Sequence, residues 1–225
     1  MDNFDESESL VNGKHEYKKN IVDFFRELGF RHDIFQTAKR ETDFYLATDF
    51  NVFDYILPNE NQISDIIANL LSPNGTHGQG DLFLREFCKV IGKSEDYKIQ
   101  KAKVIREERT IQIVRSQRRI DITIDFGNFG LGIENKPWDS EQEDQIKDYT
   151  EYLRKKYSNN FILIYLSGDG SKPQSIDEEE RKSLEKDGKL CTISYMSGLK
   201  DWLNSCYKEC RAEKVRWFLR DFIDY

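Results

Sequence analysis

The chain is poor in the residues that build several common site types. It has three histidines in 225 residues. Histidine-rich metal sites and the HExxH peptidase pattern are therefore excluded. Its four cysteines, at 88, 191, 206 and 210, form no CxxC pair. That argues against a zinc ribbon or a disulfide framework and for a reducing compartment, the cytoplasm. Cys206 and Cys210 share a helix face and read as packing. No apolar run approaches the ~20 residues of a membrane helix, and the acidic start MDNFDESESL is no secretory signal. Four prolines and 13 glycines are spread thinly, without repeats or a long linker.

What is present is a globular composition. Apolar residues are 38%, charged residues 33%, and Tyr plus Phe number 26. Disordered chains rarely carry so many aromatics. The net charge of −7 does not suggest a strongly basic nucleic-acid binder. Locally the balance reverses. Residues 98–119 hold eight basic side chains (Lys98, Lys101, Lys103, Arg106, Arg109, Arg115, Arg118, Arg119) against Glu107 and Glu108. Such a stripe is either a polyanion footprint or a solvated strand face balanced by acids elsewhere.

Residues 1–15 read as a disordered tail and 16–225 as one domain with its core over about 58–195. Ile21, Phe24, Phe25 and Leu28 predict a helix over 16–28 that stops at Gly29; residues 43–57 stay unassigned. Asn59 with Gln62 is a capping pair before the apolar face Ile63, Ile66, Ile67, Leu70 and Leu71. A glycine-rich loop with His77 and a helix over about 80–91 follow. Strands are predicted at 104–114, 119–126 and 129–136. Ser140 with Glu143 reads as a capping box for a helix over about 141–157. FILIYL (161–166) is a strand buried on both faces. Residues 175–187 are a charged helix or loop, 190–195 a short strand, and 197–210 and 211–224 helices. Val215, Phe218, Leu219 and Phe222 keep an amphipathic pattern to the last residues, so the natural chain is expected to run further. The order predicts an α/β fold, a central mixed sheet flanked by helices.

The chemistry concentrates in one hairpin. With Gly127-Asn128 as a two-residue loop, Phe126 faces Phe129, Ile124 faces Leu131 and Ile122 faces Ile133. Asp121 then falls opposite Glu134 on one face. Gly132, facing Thr123, leaves room above the sheet there. Two facing carboxylates repel unless a cation lies between them. Mg²⁺ suits one or two carboxylates plus water and phosphate oxygens. Lys136, two residues on from Glu134, shares the face and could orient or deprotonate water or stabilise phosphorane charge. Other Asp/Glu-x-Lys triplets (Glu16/Lys18, Asp96/Lys98, Glu180/Lys182, Asp187/Lys189) lack an apolar strand with a facing aspartate.

These residues resemble the catalytic signature of the PD-(D/E)XK nuclease superfamily. NENQISDIIANLLSPNGTHGQGDLFLREF, RID, IENK and EDQIKDYTEYL are similar in order and spacing to one bacterial branch of it, over about residues 58–166. The resemblance implies a restriction-endonuclease-like core with N-terminal helices, a divalent metal (Mg²⁺, or Mn²⁺ in its place) and hydrolysis of nucleic-acid phosphodiesters, DNA ahead of RNA. It makes Asp121, Glu134 and Lys136 catalytic and Asp121, Glu134 and Glu60 metal ligands. It matches Gln145 and Tyr149 to the helix after the lysine, touching substrate. Arg119-Ile120 stands where many members have proline before the aspartate. A defence role against foreign DNA and a homodimer joined through the C-terminal helix are further expectations. A binding or assembly module without turnover and a two-carboxylate glycosidase are the alternatives.

Around this set, Arg119 is read either as a fork onto a phosphate or as a partner of Glu107 or Glu108. His77 is read as a structural or substrate-contacting loop residue ahead of a catalyst. Trp138 is read as core packing ahead of stacking on a base.

Overall fold

The sheet is built on the two runs buried at every position, β3 (Gly130–Lys136) and β4 (Phe161–Ser167). The computed structural model describes residues 5–93, 99–110, 118–138 and 141–225, with side chains from residue 16 onward. The chain divides into two compact units, Met1–Phe50 and Asn51–Tyr225.

The first unit is a helix, α1 (Asp5–Leu46). It begins inside the stretch expected as a tail and passes through Gly29. A helical glycine costs about 1 kcal/mol relative to alanine. The Arg31–Glu27 pair at 2.6 Å bridges that point and Arg26–Asp23 at 2.9 Å precedes it, the spacing at which ion pairs support helices. The stop comes at Ala47, in the left-handed region at φ 44°, where Thr48 donates its N–H to Asp43.

The second unit opens with α2 (Phe53–Ile56), α3 (Glu60–Leu71) and α4 (Leu82–Val90). The capping box forms as expected. Gln62 N–H donates to the Asn59 side chain at 3.0 Å, and Asn59 N–H to Gln62 Oε1 at 2.9 Å. β1 (Lys103–Arg109) and β2 (Arg119–Asp125) precede β3. Ile111, Ile113 and Val114, assigned to the first strand, lie outside the described residues, as do Lys98, Arg115 and Ser140. The strands run β1-β2-β3-β4-β5 with β5 at Leu190–Ser194. β2 runs antiparallel to both of its neighbours, β1 and β3; β4 pairs parallel with β3, and β5 parallel with β4. The parallel connections pass through α5 (Gln145–Tyr157) and α6 (Glu178–Lys186), and α7 (Lys200–Glu209) and α8 (Glu213–Asp224) close the chain. This is the mixed, helix-flanked α/β sheet that the order of elements predicts.

The hairpin register is the one counted from the loop. Phe126 N–H donates to Phe129 O at 3.0 Å, and Ile124 pairs with Leu131 and Ile122 with Ile133. Gly127 has φ 94°, as the first position of a type II′ turn requires.

Alternation splits the apolar residues between two cores. Ile122, Ile124, Leu131, Ile133, Ile162 and Ile164 pack with helices α3, α4, α7 and α8, including Trp202, Cys206 and Cys210. The opposite face takes Leu163 and Tyr165 with Ile146, Tyr149 and Leu153 of α5. The core therefore extends past residue 195: Leu219 and Phe222 of α8 are buried in it. That internal use takes up part of the face expected to join two copies; Val215 and Phe218 of the same face are only partly buried.

Two expectations need correction here. Gly132 does not leave open space, because a Cβ there would meet Leu153 Cδ1 at 3.0 Å and Leu163 Cδ1 at 3.2 Å. The glycine lets α5 close on the sheet. And α5 begins at Gln145 rather than 141. The Glu141 carboxylate instead accepts the N–H groups of Gln174 and Ser175 and the Tyr165 hydroxyl. Held in that loop, it cannot start the helix, and Asp144 turns left-handed at φ 58°.

Candidate active site

The β2–β3 ladder runs as far as Ile122–Ile133. One residue beyond, the Asp121 carboxylate takes the N–H of Asn135 at 2.9 Å. A side chain thus replaces the next ladder bond. The break also shows in packing, since Ile120 joins the α5 core while Ile122 joins the other. The cleft beyond it has a volume of about 470 Å³ and is lined by Arg118, Arg119, Asp121, Glu134, Lys136, Gln142, Gln145 and Tyr149.

Inside the cleft the groups are tightly linked. Lys136 Nζ lies 2.7 Å from Glu60 Oε1 and 3.1 Å from Glu134 Oε1. Glu60 reaches it from the first turn of α3, across the strand end. From α5, Gln145 Nε2 donates to Glu134 Oε1 at 2.6 Å and contacts the Tyr149 hydroxyl at 3.0 Å. That hydroxyl donates to Arg119 O at 2.6 Å, so α5 is tied to β2 and β3 at the site. Glu134 is 1% exposed, and its Oε2 has no hydrogen-bond partner among the described residues. A buried unpaired carboxylate oxygen is costly.

Electrostatics follow from this burial. Glu134 is pushed up to about 8, by burial first and by Asp121 second. Burial also raises Asp121, against the pull of the Asn135 N–H and Lys136. For Lys136 burial opposes the charge, but Glu134 and Glu60 outweigh it and lift its pKa. Among the described residues no three His, Cys, Asp or Glu side chains converge into a ready metal cage. Magnesium does not need one, since it binds through one or two carboxylates plus water and phosphate oxygens. Asp121 and Glu134 fit that requirement: hard oxygens, mutually repelling, one left without a donor. Glu60 is held by the lysine, and its carboxylate meets the site through Lys136.

Three members of the basic stripe, Arg106, Arg118 and Arg119, are held in ion pairs. Arg119 meets Glu107 at 2.8 Å, the salt bridge that its position allowed, while still lining the cleft. Arg118 meets Asp148 at 2.9 Å. Arg106 meets Asp65 at 2.6 Å and donates to Asp121 O, which ties β1 and β2 to α3.

His77 does not join the cleft. Its Nδ1 accepts Gln79 N–H at 3.0 Å and its Nε2 lies 3.0 Å from Ser72 O. That pairing requires the neutral ring protonated at Nε2, and burial keeps its pKa low. The ring packs on Phe83 with centroids 4.7 Å apart. It holds the loop after α3. Trp138 is 54% exposed, so the core-packing reading fails.

Asn135 is the residue that sequence reasoning missed. It is fully buried on the core face between Glu134 and Lys136. Its Nδ2 donates to Ser64 Oγ at 2.9 Å, and its Oδ1 accepts from the Tyr195 hydroxyl. The available signal was alternation: a polar residue at a position that should be apolar.

A family model described as the PD-(D/E)XK nuclease superfamily matches residues 50–224. No curated protein and no solved structure matches the chain.

Proposed function

The chain belongs to the PD-(D/E)XK nuclease superfamily, and from that membership we propose that it hydrolyses phosphodiester bonds of DNA with a divalent metal and water. The observation that carries the reading is the buried Glu134–Lys136 pair beside Asp121, with Glu134 Oε2 left unpartnered among the described residues. A structural salt bridge would not need a second carboxylate, or an orphaned oxygen, at the mouth of a cleft.

Asp121 and Glu134 would hold the ion. A divalent cation there, Mg²⁺ or Mn²⁺, would supply Lewis acidity toward a phosphodiester oxygen and toward water. The remaining work falls to the protein. The Asn135 N–H fixes the Asp121 carboxylate, and Gln145 fixes that of Glu134. Ligand orientation of this kind governs metal affinity. Lys136, paired with two carboxylates, is an ammonium with three donors. It is suited to orienting the attacking water and to stabilising phosphorane charge rather than to taking a proton. Glu60 holds that ammonium at the strand end. Arg118 and Arg119 line the cleft and would meet the phosphate backbone there. Tyr149 fixes the β2 backbone behind them.

The test is cleavage of plasmid DNA, and of RNA, by purified protein with Mg²⁺, Mn²⁺ or EDTA. The reading expects metal-dependent cutting of DNA that disappears in Glu134→Ala. Absence of both cutting and metal binding would overturn it.

A further inference from the structure

On the other side of the β3 terminus lies a second hollow, which the hydrolytic machinery does not use. It has a volume of about 690 Å³ and is lined by Trp138, Tyr195, Met196, Lys200, Asp169 and Tyr225 among others. The size is that of a small-ligand pocket. Its apolar walls are open: Trp138 is 54% exposed, Met196 77% and Tyr225 45%.

Resting on the nuclease reading, we infer that this hollow receives an unpaired nucleobase next to the scissile phosphate, so that the favoured substrate is single-stranded or locally unpaired.

Three observations point to a base. The first is continuity with the cleft. Trp138 is two residues beyond Lys136, at most about 7 Å along the chain. Asn135 links the two: its N–H holds Asp121, which lines the cleft, and its Oδ1 accepts from Tyr195, which lines the hollow. The second is rigidity. Gly168 N–H donates to Lys136 O at 3.1 Å. A Cβ on Gly168 would lie 2.6 Å from Pro137 O, so the backbone under Trp138 rests directly on the end of β4. An exposed indole carried on a backbone held in this way offers a stacking face. The third is charge. Asp169 and Asp224 line the hollow against one lysine, Lys200. That balance disfavours a phosphate, whereas carboxylates accept hydrogen bonds from base amino groups. A base inside a duplex is stacked on both faces and could not reach the indole; an unpaired one could. Alanine substitution of such a platform costs ~1–3 kcal/mol per base, which is roughly a 5- to 150-fold change in affinity.

The experiment uses the full chain and a labelled 12-nucleotide single strand, the same strand with one abasic site, and the same strand in a perfect duplex. Binding is measured by anisotropy with Ca²⁺ and cutting with Mg²⁺, for wild type, Trp138→Ala, Trp138→Phe and the exposed control Trp217→Ala, which does not line the hollow. The inference expects Trp138→Ala to weaken single-strand binding at least 5-fold and to lower the single-strand to duplex preference. Trp138→Phe should recover most of both. The abasic strand should bind wild type as weakly as the intact strand binds Trp138→Ala, and Trp217→Ala should match wild type. Metal-dependent cutting of duplex with single-strand binding indifferent to Trp138 would overturn the inference and leave the nuclease reading standing. Failure of wild type to bind or to cut any of the three probes would overturn both.

Discussion

The buried Glu134 carboxyl makes a sharp prediction about the metal-free protein. Its folded pKa is about 8 against an ordinary 4.5. Between those values the unfolded chain gives up this proton while the folded chain keeps it. Stability from this group is therefore greatest below about pH 4.5, falls as pH rises and levels off above about 8. Each pKa unit is worth about 1.36 kcal/mol, so the whole fall comes to roughly 5 kcal/mol. At about 2–4 °C per kcal/mol for a domain of this size, the melting temperature should drop by roughly 10–20 °C. Asp121, also raised by burial, acts in the same direction. His77, whose pKa is lowered, acts in the opposite direction below its ordinary 6.5. The comparison is therefore wild type against Glu134→Gln, in EDTA, across pH 5 to 9 by thermal or urea unfolding. Wild type should lose stability relative to the variant as pH rises. Mg²⁺ should restore wild type more at pH 8 than at pH 6, with release of protons, and should do little for the variant. A pH-independent difference between the two proteins would refute the reasoning, because Glu134 would then titrate like a solvated carboxyl.

Two further substitutions probe the supports of the site. Gln145→Leu removes the donor that orients Glu134. It should weaken metal binding 10- to 100-fold by calorimetry while the fold, read by circular dichroism, persists. Gly130→Ala places a Cβ 2.1 Å from the Tyr157 ring, so α5 or the ring must move; a destabilisation of about 1–3 kcal/mol is expected in urea unfolding.

How much of this was legible depended on how local the cause was. The hairpin register follows from one two-residue loop, since a slip of one residue would turn every side chain to the wrong face. That alone brought Asp121, Glu134 and Lys136 to one cleft. The start of α3 was legible because its cap lies within four residues. The start of α5 was not, because what holds Glu141 in a loop is Gln174 and Ser175, more than thirty residues away in sequence. Gly29 looked like a stop, but one glycine does not outweigh a helix of 42 residues. His77 looked chemical in its loop, and its ring proved to be spent on Ser72 and Gln79. Asn135 was overlooked between two charged neighbours although its alternation marked it. Its partners, Ser64 and Tyr195, come from opposite ends of the unit.

The central claim is that Lys136 serves the chemistry rather than the fold. The most direct measurement is the rate of DNA cleavage in Mg²⁺ by wild type and Lys136→Ala, with metal binding measured on the same preparations. The account predicts a rate loss of about 10²–10³-fold, as for removal of a preorganised donor to developing charge, with metal still bound at Asp121 and Glu134. Equal rates in the two proteins would contradict it.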